Sequence, residues 1–178
     1  MQEVEVKITE IDRGLVEARL KAIGASKDSE GDVDTVFFDF PSNSIAAAEN
    51  LLRLRRKGTT SELAFKRFLQ GEGAKVRDEY EVSVSDFETM RLILESIGLV
   101  AVQRMKKHRI SYLLKDGVRV DLDRYTDEFS YIPDLMEIEA EDAATVRKHV
   151  EMLGFKPEDS KNWTTFDLVN HYSEKAKT

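Results

Sequence analysis

The sequence predicts an α+β fold: an eight-stranded antiparallel β-barrel, a tunnel with a charged lumen, and helices packed on its outside. Three observations predict it. Many short segments alternate with period two, the signature of strands. A Glu-x-Glu strand precedes each of three amphipathic helices. Along nearly every strand the charged residues keep to one face and the aliphatic residues to the other.

The first Glu-x-Glu, Glu3 and Glu5, leads into a helix over 12–23. Leu15, Val16, Ala18, Leu20 and Ile23 supply its apolar stripe and Gly24 ends it. Strands follow at 34–40, 50–57 and 62–69. The second Glu-x-Glu, Glu79 and Glu81, leads into a helix with a capping box from Ser85 to Glu88, the apolar residues Phe87, Met90, Ile93, Leu94 and Ile97, and a stop at Gly98. Two strands, 106–115 and 118–125, are joined by a hairpin at Lys115-Asp116-Gly117, where Asp-Gly suits the positive φ of a tight turn. The third Glu-x-Glu, Glu137 and Glu139, leads into a helix over 142–154 ended by Gly154. Strand, helix and glycine thus recur three times, an internal pseudo-repeat.

Composition bounds the function. The 178 residues hold 41% hydrophobic and 34% charged side chains, a globular balance, and suit one domain, expected over residues 1–172 with a frayed tail at 173–178. The absence of cysteine excludes disulfide scaffolds, thiolate catalysis and cysteine-bound zinc. No apolar run reaches the length of a membrane helix, so no membrane partner is expected. The opening MQEVEVKITE is too charged for a signal peptide, which makes the cytoplasm the expected compartment. A net charge of −7 argues against a general nucleic-acid binder, and the strand faces carry no aromatic residues among their bases for an RNA sheet.

Each strand taken alone is an ordinary half-exposed strand, apolar side to the core and charged side to water. Taken as a set the strands suggest more. Their polar faces hold few Ser, Thr or Gln, and like charges recur in pairs, which destabilises a sheet unless something bridges them. A polyanion with its metal ions bridges both signs. Arginine and lysine grip phosphate oxygens, and paired carboxylates suit Mg²⁺ or Mn²⁺, hard cations that favour oxygen ligands.

Glu3-Val4-Glu5-Val6-Lys7 resembles the Glu-x-Glu-x-Lys signature of the CYTH superfamily, the triphosphate tunnel metalloenzymes. The resemblance continues through Phe38-Asp39-Phe40-Pro41, Leu52-Arg53-Leu54-Arg55, Phe65-Lys66, Arg77-x-Glu79-x-Glu81, Lys107-x-Arg109, Leu122-Asp123 and Glu137-Ile138-Glu139. It runs from residue 3 to about 141 and is nearest the class IV adenylyl cyclase and thiamine triphosphatase-like branch. It implies the eight-stranded tunnel and a small-molecule triphosphate as partner: ATP, thiamine triphosphate or inorganic triphosphate. By resemblance, Lys7, Arg53, Arg55, Lys66, Arg77, Lys107 and Arg109 bind the triphosphate. Glu3, Glu5, Asp123, Glu137 and Glu139 hold the metal, and Glu5, Lys7, Asp123 and Glu137 are catalytic. Glu79 and Glu81 orient neighbouring bases; the roles of Asp121, Arg119 and Lys161 are open, and a homodimer is allowed.

The family's usual glycine and aromatic residue before the last Glu-x-Glu give way to Tyr131-Ile132-Pro133-Asp134-Leu135-Met136. Its late Ser-Tyr-x-x-Leu element gives way to Trp163-Thr164-Thr165-Phe166-Asp167-Leu168. Both departures bear on the organic part of the substrate. Two catalytic readings stay open, hydrolysis of a triphosphate and cyclisation of ATP to cyclic AMP, with a non-catalytic polyphosphate or nucleotide binder as the alternative. The acids and bases of the strand faces balance, so the −7 belongs to the rest of the chain. His108, between Lys107 and Arg109, is expected on the outer face as a packing or surface residue rather than a general base; His149 and His171 have no partner at ligand spacing in the sequence, and Trp163 is expected as packing.

Overall fold

The computed structural model describes residues 4–69 and 76–175. Its strands are β1 (Val4–Thr9), β2 (Ser26–Asp39), β3 (Leu51–Lys57), β4 (Thr60–Leu69), β5 (Val76–Val84), β6 (Val100–Leu113), β7 (Arg119–Tyr125) and β8 (Leu135–Ala140). Its helices are α1 (Arg13–Ala22), α2 (Ser44–Ala47), α3 (Phe87–Ser96), α4 (Ala143–Met152) and α5 (Thr165–Lys175). The strands form one eight-stranded sheet in the order β1-β8-β7-β6-β2-β3-β4-β5. The predicted class, eight antiparallel strands with helices on their apolar side, is the one observed.

The chain packs as two compact units. One is Asp32–Lys106; the other joins Glu3–Gly31 to Lys107–Thr178, so the long strands β2 and β6 each contribute to both. In the second unit the even-numbered residues of β1, β7 and β8 (Val6, Ile8, Val120, Leu122, Met136, Ile138) pack on Val16 and Leu20 of α1 and on Val146 and Val150 of α4. Each such buried side chain contributes about 1.5–3 kcal/mol, as an upper figure. In the first unit Val36, Phe38 and Leu54 pack on Phe87 and Leu94 of α3 and on Leu99. The apolar face of β1, β7, β8, β3 and the inner half of β2 is thereby covered, while Tyr80 and Val82 of β5 stay exposed.

The three helices of the pseudo-repeat share their start. Asp12, Asp86 and Asp142 are the N-caps, and each carboxylate accepts a hydrogen bond from the backbone N–H three residues on, at Leu15, Thr89 and Thr145. The cap of α3 is therefore Asp86, one residue beyond the Ser85 that the capping-box spacing suggested. At Gly154, after α4, φ is +75°, and an added Cβ would lie 2.7 Å from the Arg19 guanidinium. That guanidinium donates to Leu153 O at 2.6 Å, so a glycine lets the two repeats close on each other.

Other boundaries differ from expectation for identifiable reasons. β2 begins at Ser26 rather than 34, because 26–30 is exposed and polar and carries no alternation to read. β6 likewise begins at Val100, with Val100 and Val102 exposed. Ser173–Lys175, expected within a frayed tail, form the last turn of α5. Tyr172 donates to Glu10 at 3.0 Å and Lys175 lies 3.2 Å from the same carboxylate, fastening the helix just past the end of β1.

Candidate functional site

In the second unit the odd-numbered residues of β1, β6, β7 and β8 share a face. The ladders place Lys7 opposite Glu137, Glu137 opposite Asp121, and Asp121 opposite Ser111. One step along, Glu5 lies opposite Glu139 and Glu139 opposite Arg119; on the other side Asp123 lies opposite Arg109. Alternation within the strands and register between them thus interleave acids with bases.

The side chains are tightly engaged. Arg109 grips Asp123 with two parallel hydrogen bonds of 2.6 Å, reaches Glu137 through Nη2, and pairs with Asp121 through Nη1. Lys107 donates to the same Asp123 carboxylate, whose side chain is wholly buried. Lys7 pairs with Glu5 and lies 3.2 Å from Glu137. Tyr125, also buried, places its ring 5.5 Å from the Lys107 ammonium.

Burial and neighbours set the charges. Burial alone would lower the Lys7 ammonium, but Glu137 and Glu5 outweigh it and hold the pKa above the ordinary lysine value. Burial likewise opposes ionisation of Glu137, yet Lys107, Lys7 and Arg109 keep its carboxyl well below the usual range. Lys107 moves the other way: burial and the adjacent Arg109 lower it despite Asp123 and Glu137. Lys7, Lys107 and Arg109 therefore face Glu5, Asp121, Asp123 and Glu137, and one carboxylate is in excess.

The first unit carries a second set on the polar face of β3, β4 and β5. Arg53 reaches Glu79 at 3.0 Å, Lys66 reaches Glu79 at 2.9 Å, and Arg55 pairs with Glu62 through two guanidinium nitrogens. Lys57 lies 3.7 Å from Glu62, and Arg55 lies 3.9 Å from Glu81. Burial and the adjacent Glu62 raise the Glu81 carboxyl, while Arg55, Lys57 and Arg53 overcome burial to lower Glu62. Asp39, from the Phe-Asp-Phe-Pro motif, accepts from the backbone N–H groups of Phe40, Ile45 and Ala46, so its task is to shape the turn into α2.

The expected site residues thus fall into two sets. Glu5, Lys7, Lys107, Arg109, Asp123 and Glu137 come together in one; Arg53, Arg55, Lys66, Glu79 and Glu81 in the other. Glu139 holds its place in the register beside Glu5, and Arg119 pairs with Asp28 at 3.0 Å. Glu3 lies outside the described residues. Arg77 is placed by its backbone alone, opposite Phe68 in the β4–β5 ladder, and its side chain lies outside the description. Sequence reasoning passed over Glu62, although it sits two and four residues before Ala64 and Lys66 on the same strand face. It also left Lys161 without a role. Lys161 exchanges both backbone hydrogen bonds with Lys7, at 2.8 and 2.9 Å, and so extends the ladder beyond β1.

The histidines have partners that spacing could not reveal. His149 is fully buried; its Nδ1 hydrogen-bonds to Thr145 O at 2.8 Å and its Nε2 lies 3.1 Å from Asp116 in the β6–β7 turn. His108 lies 3.3 Å from Glu30. His171 stacks between Trp163 and Tyr172, at 4.7 and 4.8 Å between ring centroids, which makes Trp163 a packing residue as expected.

A metal in the second-unit cluster has suitable donors. They are carboxylate oxygens, the ligands of hard divalent cations, and one of them, Asp121 Oδ1, is buried with no hydrogen-bond partner. Among the described residues no three acids or histidines already converge as a ready-made cage.

The CYTH domain profile matches residues 1–161. The chain belongs to the CYTH family. A Methanocaldococcus jannaschii protein named as a candidate adenylate cyclase is 27% identical over 116 residues, covering 65% of this chain and 66% of that one. A conserved hypothetical protein of Pyrococcus furiosus superposes with a TM-score of 0.77 at 25% identity, over 93% of this chain and 99% of that one. A Hippeastrum protein, named as an adenylyl cyclase and described as having a dominant triphosphatase activity, superposes with a TM-score of 0.64 at 17% identity, over 96% of each chain. No described helix is long and apolar enough to cross a membrane.

Proposed function

We propose that this CYTH protein is a divalent-metal-dependent enzyme that binds a triphosphate through its strand-face lysines and arginines and hydrolyses it. The observation that carries this reading is the cluster of Lys7, Lys107 and Arg109 against Glu5, Asp121, Asp123 and Glu137. Burying so many charges costs more than their pairing returns, so a stability role accounts poorly for them. Arg109 presents a planar fork suited to phosphate oxygens, and Lys7 and Lys107 add compact charges.

The metal would be held by carboxylates among Glu5, Glu137, Glu139 and β7, with Mg²⁺ or Mn²⁺ as the cation that their oxygen chemistry favours. When bound, it supplies charge neutralisation on the phosphate oxygens and lowers the pKa of the attacking water. Glu137, held ionised by three cations, is a weak base and serves to position groups. Glu5, the most exposed carboxylate of the cluster, is the one that a water can approach, and it orients that water and takes its proton. The water oxygen bonds to the terminal phosphorus as the phosphorus–oxygen bond to diphosphate breaks. Lys7 and Arg109 neutralise the charge that develops on the leaving oxygen.

Cyclisation of ATP is the second reading, favoured by the name of the Methanocaldococcus relative. Incubation with tripolyphosphate, thiamine triphosphate and ATP, each with Mg²⁺ or Mn²⁺, separates the readings. Orthophosphate release supports hydrolysis and cyclic AMP supports the cyclase. Tight binding without turnover leaves a polyphosphate binder.

A further inference from the structure

The two aspartates of β7 share a face and are two residues apart, yet their surroundings differ. Asp123 has a side chain with no exposed surface. Arg109 occupies both of its oxygens at 2.6 Å, and Lys107 adds a further donor to Oδ2. Three donors therefore engage its two oxygens, and neither oxygen is without a partner. Asp121 is also buried, at 5% exposure, but only Oδ2 is paired, with Arg109 Nη1. Its Oδ1 has no partner although it is shut away from solvent. An unpaired buried carboxylate oxygen costs on the order of 1–3 kcal/mol or more, so such an oxygen is retained where something binds it.

The register shows what surrounds it. Asp121 lies directly opposite Glu137 across the β7–β8 ladder, where facing side chains sit about 5 Å apart at Cβ. The Arg109 guanidinium already bridges the two carboxylates, through Nη1 to Asp121 and Nη2 to Glu137, and leaves Asp121 Oδ1 as the oxygen without a partner. On the other side Asp121 faces Ser111, a small buried hydroxyl residue.

We propose that Asp121, together with Glu137, forms the divalent-cation site of β7, and that Asp123 is instead the buried counter-ion that fixes Arg109 and Lys107. The inference rests on the metal-dependent reading above and changes which β7 carboxylate meets the metal. Asp123 becomes a positioning residue: it acts on the substrate through the guanidinium and ammonium that it holds. A cation on two carboxylates keeps most of its coordination sphere for water and phosphate, as Mg²⁺ and Mn²⁺ do.

The test is Mn²⁺ binding to the full chain, read by loss of the free-ion paramagnetic resonance signal and by calorimetry, with no substrate present. Wild type binds Mn²⁺. Asp121→Asn and Asp121→Ser each weaken it about 10- to 100-fold with an unchanged circular dichroism spectrum. Asp123→Asn binds Mn²⁺ within a few-fold of wild type but loses affinity for tripolyphosphate. Wild-type Mn²⁺ affinity in both Asp121 variants overturns the inference while leaving metal dependence standing. Failure of wild type to bind Mn²⁺ without substrate overturns the inference, whereas orthophosphate release from tripolyphosphate that is indifferent to added metal overturns the metal-dependent reading and the inference with it. Should Asp123→Asn not fold, the two Asp121 variants decide the matter alone.

Discussion

The two charged strand faces carry the same sequence pattern and differ in depth. In the second unit Lys7 and Asp123 are almost wholly buried, and each is held by more than one partner of opposite sign. In the first unit the Lys66 and Glu79 side chains are 20% and 21% exposed and the Glu81 side chain is 45% exposed, while Arg55, at 11%, is as buried as Arg109. The balance of sign differs too. Carboxylates outnumber bases in the buried cluster, whereas Arg53, Arg55, Lys57 and Lys66 outnumber Glu62, Glu79 and Glu81 in the other. Depth gives one alternation a buried cluster with carboxylates in excess, and the other a more open set with bases in excess. Water screens the shallower set, so each of its pairs is weaker.

The largest effect should come from breaking the deep cluster. Asp123→Ala removes the wholly buried carboxylate shared by Arg109 and Lys107, leaving them only Asp121 and Glu137, and should cost about 3 kcal/mol in urea unfolding. Glu79→Ala in the shallow set should cost about 1 kcal/mol or less. Equal losses would show that burial does not separate the two faces.

Ligand binding sharpens the same contrast. Arg109→Ala should weaken tripolyphosphate binding about 10- to 100-fold, and Arg55→Ala about tenfold, by calorimetry at fixed salt. Raising the salt concentration should weaken both contributions alike, because the two guanidinium groups are equally buried.

The pH dependence has opposite signs at Glu137 and at Glu81, the one raised carboxyl beside the lowered Glu62 and Glu79. The carboxyl of Glu137 is depressed on folding, so its contribution to stability is present above the unfolded value near 4.5 and is lost as pH falls below it. Glu137→Gln should therefore flatten the acid limb of a stability–pH curve. Glu81 is raised, so folding favours its protonated form, and that contribution fades as pH rises through the raised value. Glu81→Gln should be neutral or slightly stabilising at pH 7, since it removes repulsion against Glu62.

The smallest change concerns the fastening of α5. Tyr172→Phe removes one hydrogen bond to Glu10 and should lower stability by about 1 kcal/mol, seen as a modest shift of the thermal midpoint.

Much of this was legible in the sequence because strand parity is a local rule. Alternation alone put Glu5 and Lys7, Lys107 and Arg109, and Glu137 and Glu139 on common faces, and the structure keeps each pair on one face. The Asp-Gly turn and the helix-ending glycines were equally local. What depends on register was not legible. Nothing in the sequence says that Asp121 meets Glu137, that Asp116 reaches His149, or that Lys161 pairs with Lys7, because partners far apart in the chain are chosen by ladder alignment. Depth was hidden for the same reason. The exposed first half of β2 shows no alternation, since backbone pairing rather than side-chain burial makes it a strand.

Orthophosphate release from tripolyphosphate in the presence of Mg²⁺ or Mn²⁺, comparing wild type with Arg109→Ala and Glu5→Gln, tests the central claim most directly. Wild type should release orthophosphate only with the metal, and both variants should lose that release while retaining a folded circular dichroism spectrum. Turnover in Glu5→Gln and Arg109→Ala equal to wild type, or turnover indifferent to metal, would contradict the assignment of the buried cluster as the catalytic site.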